Sequence, residues 1–392
     1  MTDIERITSI FESVEPFLRN FFSTPECLFW REPLDGIRTR CWYESLKQRF
    51  AFSGPAEMER HLEPDAVKWH ADGRFNYSSN KWPRFRDGSP PGARTLEKVE
   101  KNAPGSMRIF YHPLWDVLDF DNKDVMEGQA LLRRLSTEVQ AVLFRSERIG
   151  IFSYVRRAPV NRSLLKKLEL MADLDVLACL TWLLREAVEN KCSGVQAIGR
   201  SLHKVLTMMA LELHALKIGL PLLQRFIDLV LPLALPRHHR IASTPLDYIC
   251  DSGVLNELSF NIKGEPKTLD WKRRVKNMER LLEGWRGVDV QFALGLRTAL
   301  DDKHPWVPFN VVKEIKSFAF MRNYGWAEIL FKSQDGPGCC RGLRMSYMWS
   351  RIAFSDPRLL RFQPIIHKKG NCRLHPYVRV ASFGIVKLAR GG

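Results

Sequence analysis

Apolar residues recur at helical spacing along most of this chain. Ile4, Ile7, Ile10, Phe11 and Val14 follow Thr2-Asp3, which can cap, and predict an opening helix. Ser53-Gly-Pro-Ala-Glu57 predicts another helix start, with proline early in the turn. After Glu63 the period fades. Pro83, Gly88, Pro90, Pro91, Gly92, Pro104 and Gly105 then read as a loop or linker.

From about residue 106 to 236 the pattern is helical throughout. Residues 124–145 read as one long helix and 161–171 as another. Residues 176–188 are apolar nearly all round, so that helix belongs at the centre of the core. Residues 201–217 are amphipathic. The stretch 218–236 is the most apolar, but it holds Gln224, Arg225 and Asp228 and is interrupted by Pro221 and Pro232. It reads as a buried helix, since a membrane span needs about twenty mostly apolar residues without charge.

The last third, about 237–392, opens on the basic run Arg237-His-His-Arg240. Residues 269–284 read as a basic helix, and 359–367 and 376–388 read as strands around the turn-forming Lys368-Lys-Gly-Asn371. The expected fold is mainly α. An irregular multi-helix core precedes a small mixed α/β basic C-terminal region. Composition divides the chain into an N-terminal helical and loop region (1–105), a central helical core (106–236) and a basic C-terminal region (237–392).

Charge changes this picture most. The formal net charge is +16. From Gly336 onward eleven cationic side chains face one acid, Asp356, so this segment alone carries +10. Charge concentrated in this way points to a polyanion, and nucleic acid is the commonest one. The expected phosphate contacts are Arg341, Arg344, Arg351, Arg358, Arg361, Lys368, Lys369 and Arg373, joined by Arg274 and Lys276 of the basic helix. The partner expected is DNA or RNA. A second basic and aromatic segment runs over 68–86, from Lys68-Trp-His70 to Lys81-Trp-Pro-Arg-Phe-Arg86. It reads mainly as a loop whose rings pin it to the core while its cations stay in water.

Catalytic signatures are lacking. Gly194-Val-Gln-Ala-Ile-Gly-Arg-Ser201 imitates a phosphate loop, but arginine replaces the lysine and no apolar strand precedes it, so it reads as a helix start. Cys340, His367, Cys372 and His375 are candidate zinc ligands by residue type, but their spacing matches no standard ligand pattern. Glu265-Pro-Lys267 resembles the acid–lysine triplet of metal-dependent nucleases, and Pro266 disfavours the central strand such a core needs. No cofactor is expected.

Eight cysteines without a CxxC pair suit a reducing cytoplasm, and the opening residues show no basic, apolar leader. Two rivals to nucleic-acid binding remain. One is a subunit of a larger assembly with an acidic partner, some of the eleven tryptophans being spared for the interface. The other is a metal-dependent nuclease.

Overall fold

The computed structural model describes residues 32–66, 68–69, 75–76, 80–122, 129–149, 152–260, 269–285, 288–301 and 306–333. All of them belong to the first of the chain's two units, Met1–Arg341. The fold is mainly α.

The N-terminal layer contains α1 (Leu34–Arg49), α2 (Pro55–Leu62), the short pair β1 (Lys68–Trp69) and β2 (Phe75–Asn76), α3 (Lys81–Arg86), α4 (Ala93–Asn102), α5 (Ser106–Phe110) and α6 (Pro113–Leu118). Its core is aromatic. Trp42 stacks on Trp82 at 5.9 Å, and Phe85 and Phe110 meet Trp42 edge-on. Glu63 ties α2 to α3 by accepting from Lys81 Nζ at 2.7 Å and from Trp82 Nε1 at 2.9 Å.

Residues 83–105 are therefore not simply a linker, since α3 extends into them and α4 lies within them. Pro83 is the third residue of α3, in the first turn, where a missing N–H costs no intrahelical bond. Where it is described, the basic and aromatic segment is not the expected loop but two short strands and α3, and α3 buries Trp82 and Phe85 while Arg84 and Arg86 are exposed.

Next come α7 (Thr137–Leu143), the hairpin β3 (Phe144–Ile149) and β4 (Phe152–Arg157), α8 (Arg162–Glu169), α9 (Leu174–Glu189), α10 (Val195–Ala215) and α11 (Gly219–Arg225). Over its described part, 129–145, the long helix expected at 124–145 is not continuous. A short helical turn at Leu131–Arg134 and α7 replace it, and from Phe144 the chain pairs with β4, Phe144 facing Arg157. Cross-strand pairing overrides the local helical pattern there.

Helix α9 is buried almost all round, as its unbroken apolar pattern predicts. Helix α10 starts at Val195, so the phosphate-loop imitation is indeed a helix start. A Cβ at Gly199 would collide with Ala234, which seats α10 against the turn Leu231–Ala234. The apolar stretch after α10 is buried and helical, broken into α11, a π-turn at Phe226–Val230 and that last turn.

The chain continues with β5 (His239–Ile241), α12 (Pro245–Phe260), α13 (Trp271–Leu282), α14 (Val288–Ala293), β6 (Thr298–Leu300), which pairs antiparallel with β5, and α15 (Phe309–Ser333). Gly325 lets α15 approach α14 closely, because a Cβ there would strike the backbone of Asp289 and Ala293. Arg322 fixes the same helix by donating to Gly295 O and pairing with Asp251 at 3.3 Å. Among the described residues, no helix is long and apolar enough to cross a membrane.

Candidate nucleic-acid interface

Helix α13 has two contrasting faces. Asp270 caps it, its carboxylate accepting from the Arg273 N–H at 2.7 Å. Val275, Met278, Leu281 and Leu282 are buried. Lys272, Arg273 and Lys276 are exposed and Arg280 is half-buried. These four cations lie within an arc of about 100°. No acidic side chain lies among the exposed positions of the helix, because its one acid, Glu279, is buried.

The end of α13 positions an aromatic ring. Gly284 adopts φ +77°, a left-handed conformation that suits glycine. The Gly284 N–H donates to Leu281 O and the Trp285 N–H to Arg280 O, both at 3.0 Å, which closes a Schellman cap. The cap folds Trp285 back under Arg280, whose guanidinium carbon lies 4.9 Å from the ring centre. The indole is nevertheless 73% exposed.

Helix α8 runs antiparallel beside α13. Arg162 reaches Glu283 at 3.4 Å, Lys166 reaches Glu279 at 3.3 Å, and Trp271 Nε1 donates to Ala172 O at 3.1 Å. Arg162, Lys166 and Lys167 are exposed, but Arg162 and Lys166 are paired with Glu283 and Glu279, so the second helix adds the charge of Lys167 to the basic surface.

Beneath both lies an ionic layer. Carboxylate oxygens of Glu169, Glu279 and Glu283 lie within 4.8 Å of one another, close enough to hold a cation. That role is already filled by protein cations. Lys204 pairs with Glu169 at 3.2 Å and with Glu283, and Lys166 and Arg162 supply two more charges. Burial disfavours the Lys204 ammonium, but the hydrogen bond to Glu283 and the two carboxylate charges outweigh it and raise its pKa. The bond from Lys204, against the cost of burial, holds Glu283 below the usual carboxylate range. Ser201 donates to Glu169 at 2.5 Å and lies one turn from Lys204. A serine–lysine pair needs a neutral lysine as base, and this lysine is held protonated. The layer is structural, and it neutralises the acids under the basic surface.

The residues expected from sequence divide sharply. Lys276 stands on the exposed stripe. Arg274 does not: it is 3% exposed, donates to Glu212 at 2.8 Å and lies 4.8 Å over Trp271. It is committed to packing and is corrected from a phosphate contact to a structural ion pair. Arg341, Arg344, Arg351, Arg358, Arg361, Lys368, Lys369 and Arg373 lie outside the described residues. So do Cys340, His367, Cys372 and His375, and Glu265 and Lys267. The sequence offers Trp285, with Trp30, Trp42 and Trp115, only as a tryptophan that a protein interface could use, and it does not single out the α8 cations. The available signal was Gly284 directly after a basic helix, which announces a left-handed cap and a returning side chain.

Other polar clusters are structural. His203 Nε2 donates to Leu294 O at 2.9 Å, since a carbonyl only accepts, and Nδ1 therefore accepts from the Tyr248 hydroxyl at 2.9 Å. Burial pushes His203 down to about 4. A surface cavity of about 490 Å³ is lined by Arg40, Glu44, Arg86, Asp87 and Lys217. Two of its cations are already paired, Arg40 with Glu32 at 2.9 Å and Arg86 with Asp87 at 3.0 Å.

Comparison of the chain with protein families, with curated proteins and with solved structures finds no match.

Proposed function

We propose that this protein binds nucleic acid, DNA or RNA, mainly through phosphates. The observation that carries the reading is the exposed face of α13, which is basic throughout and lies over acids already neutralised from α8 and α10. Such a surface neutralises phosphates and releases their counterions, giving affinity with little sequence information. The acid-poor segment after Gly336 adds charge of the same sign. Free thiols at Cys41, Cys179, Cys192 and Cys250 support a reducing, cytoplasmic setting.

The test is fluorescence anisotropy with labelled oligonucleotides across a salt series. The full chain is compared with a Lys272→Glu, Arg273→Glu, Lys276→Glu variant. Binding that weakens steeply with salt and collapses in the variant supports the reading. Equal binding by the two proteins refutes the role of α13.

One observation favours a second reading, that of a subunit in a larger assembly. The first half of α15 exposes Phe309 (81%), Phe318 (51%) and Phe320 (51%), and Trp306 just before it is 72% exposed. Aromatics of this kind are enriched at interfaces, and the adjoining Lys313 and Lys316 suit an acidic partner. Sedimentation of the purified chain separates the readings, because a lone subunit self-associates with rising concentration and a free binder stays monodisperse.

A further inference from the structure

We infer that the Arg280–Trp285 pair makes the α13 surface selective for single strands, one unstacked base lying on the open face of the indole. This rests on the nucleic-acid reading above and adds strand type to it.

Three features carry the inference. The first is the exposure of the ring. Arg157 lies over Trp182 in a similar cation–π contact, but that indole is 2% exposed. Trp285 has a guanidinium close by and is still 73% exposed. A large apolar ring left in water beside a row of cations gains most from a flat aromatic partner, and every base has such a face.

The second is rigidity. The two cap hydrogen bonds and the left-handed Gly284 fix the backbone that carries the ring. A base that docks there meets a platform already ordered, so little conformational entropy is lost on binding.

The third is alignment. Lys272, Lys276 and Arg280 recur every four residues, about 6 Å apart along the axis, and lead toward the end of α13 where Trp285 lies. A strand following this row has its phosphates on the cations and a base at the ring. In a duplex the base faces are stacked on one another, so the same ring has nothing to cover without unstacking.

The experiment measures binding of the full chain to a labelled thymidine 20-mer, a uridine 20-mer and a 20-base-pair duplex at matched salt. The proteins compared are the wild type, Trp285→Ala, Trp285→Phe and the triple charge reversal on α13. Thermal unfolding of each variant confirms folding, and the exposed position of Trp285 makes it tolerant of change. The inference expects tighter binding of single strands than of duplex. It expects Trp285→Ala to weaken single-strand binding about tenfold while duplex binding stays unchanged, and Trp285→Phe to retain most of the affinity. Binding abolished by charge reversal but untouched by Trp285→Ala overturns the stacking role and leaves the phosphate surface standing. Equal losses on strand and duplex in Trp285→Ala also overturn it. No binding to any probe by the wild type overturns the nucleic-acid reading itself.

Discussion

The main-chain N–H of Trp285 donates to the carbonyl of Arg280 at 3.0 Å, and the Arg280 guanidinium lies 4.9 Å from the centre of the Trp285 ring. One turn of chain thus binds an aromatic platform to the last cation of a basic helix by both backbone and side chain. The link depends on Gly284, whose φ of +77° lets the chain reverse.

Gly284→Ala is therefore expected to do two things. A Cβ in the left-handed region costs about 1 kcal/mol, which lowers the melting temperature by a few degrees. Displacing Trp285 also weakens binding of single-stranded oligonucleotide. Calorimetry and anisotropy on the same preparation check both. An unchanged melting temperature would contradict the strain argument.

Arg274 and Lys276 are two residues apart and separate structure from function. Arg274→Ala leaves the partly buried Glu212 without this partner and should cost about 2–3 kcal/mol of stability. Lys276→Ala should leave stability within about 0.5 kcal/mol and weaken oligonucleotide binding about threefold at moderate salt. Denaturant unfolding and binding titrations distinguish them. The reverse pattern would overturn the assignment of the two faces.

Glu59 on α2 is 1% exposed, and neither carboxylate oxygen has a hydrogen-bond partner. Replacing a buried, unsatisfied carboxylate with an apolar side chain of similar size removes a desolvation cost. Glu59→Met is expected to raise stability by about 1 kcal/mol or more, read from the urea midpoint. A lower midpoint would show that the carboxylate contributes favourably.

Stability should rise between about pH 4 and 6.5. Burial pushes His203 and His214 down to about 4 from the usual 6.5. In that window the unfolded chain binds more protons, so acid destabilises the fold, by on the order of 2 kcal/mol per histidine. Asp251 acts in the opposite sense. Burial, only partly offset by Arg322 and Arg297, raises it from 3.8 to about 6, so its contribution is lost as pH rises through that range. Asp251→Asn should steepen the fall of melting temperature with acid, and His203→Gln should flatten it. A pH-independent wild-type melting temperature over this window would contradict the assignment.

Helices with an uninterrupted apolar period were legible from the chain alone. The expected basic helix over 269–284 is observed as Trp271–Leu282, and the all-round apolar stretch 176–188 lies within the buried α9. What was not legible depends in part on partners distant in sequence and in part on local helical geometry. Phe144 has helical neighbours before it, and only its pairing with Arg157 makes it a strand residue. Pro83 reads as a breaker unless its place in a first turn is known. Arg274 differs from Lys276 by facing inward, and the clue was local: residues 274, 278 and 281 share one helical face. Counting cations along the sequence ignored that face. The layer joining Glu169, Lys204, Glu279 and Glu283 comes from three helices, so no local pattern could reveal it.

The most direct test of the central claim is the salt slope of oligonucleotide binding, with and without charge on α13. Wild type is compared with Lys272→Gln, Arg273→Gln, Lys276→Gln, a change that removes three cations and leaves the buried face intact. The account predicts that the plot of log affinity against log salt for a single strand becomes shallower by about 2 in the variant, with weaker binding at every salt concentration. A slope and affinity indistinguishable from wild type would show that the exposed face of α13 does not meet the phosphates.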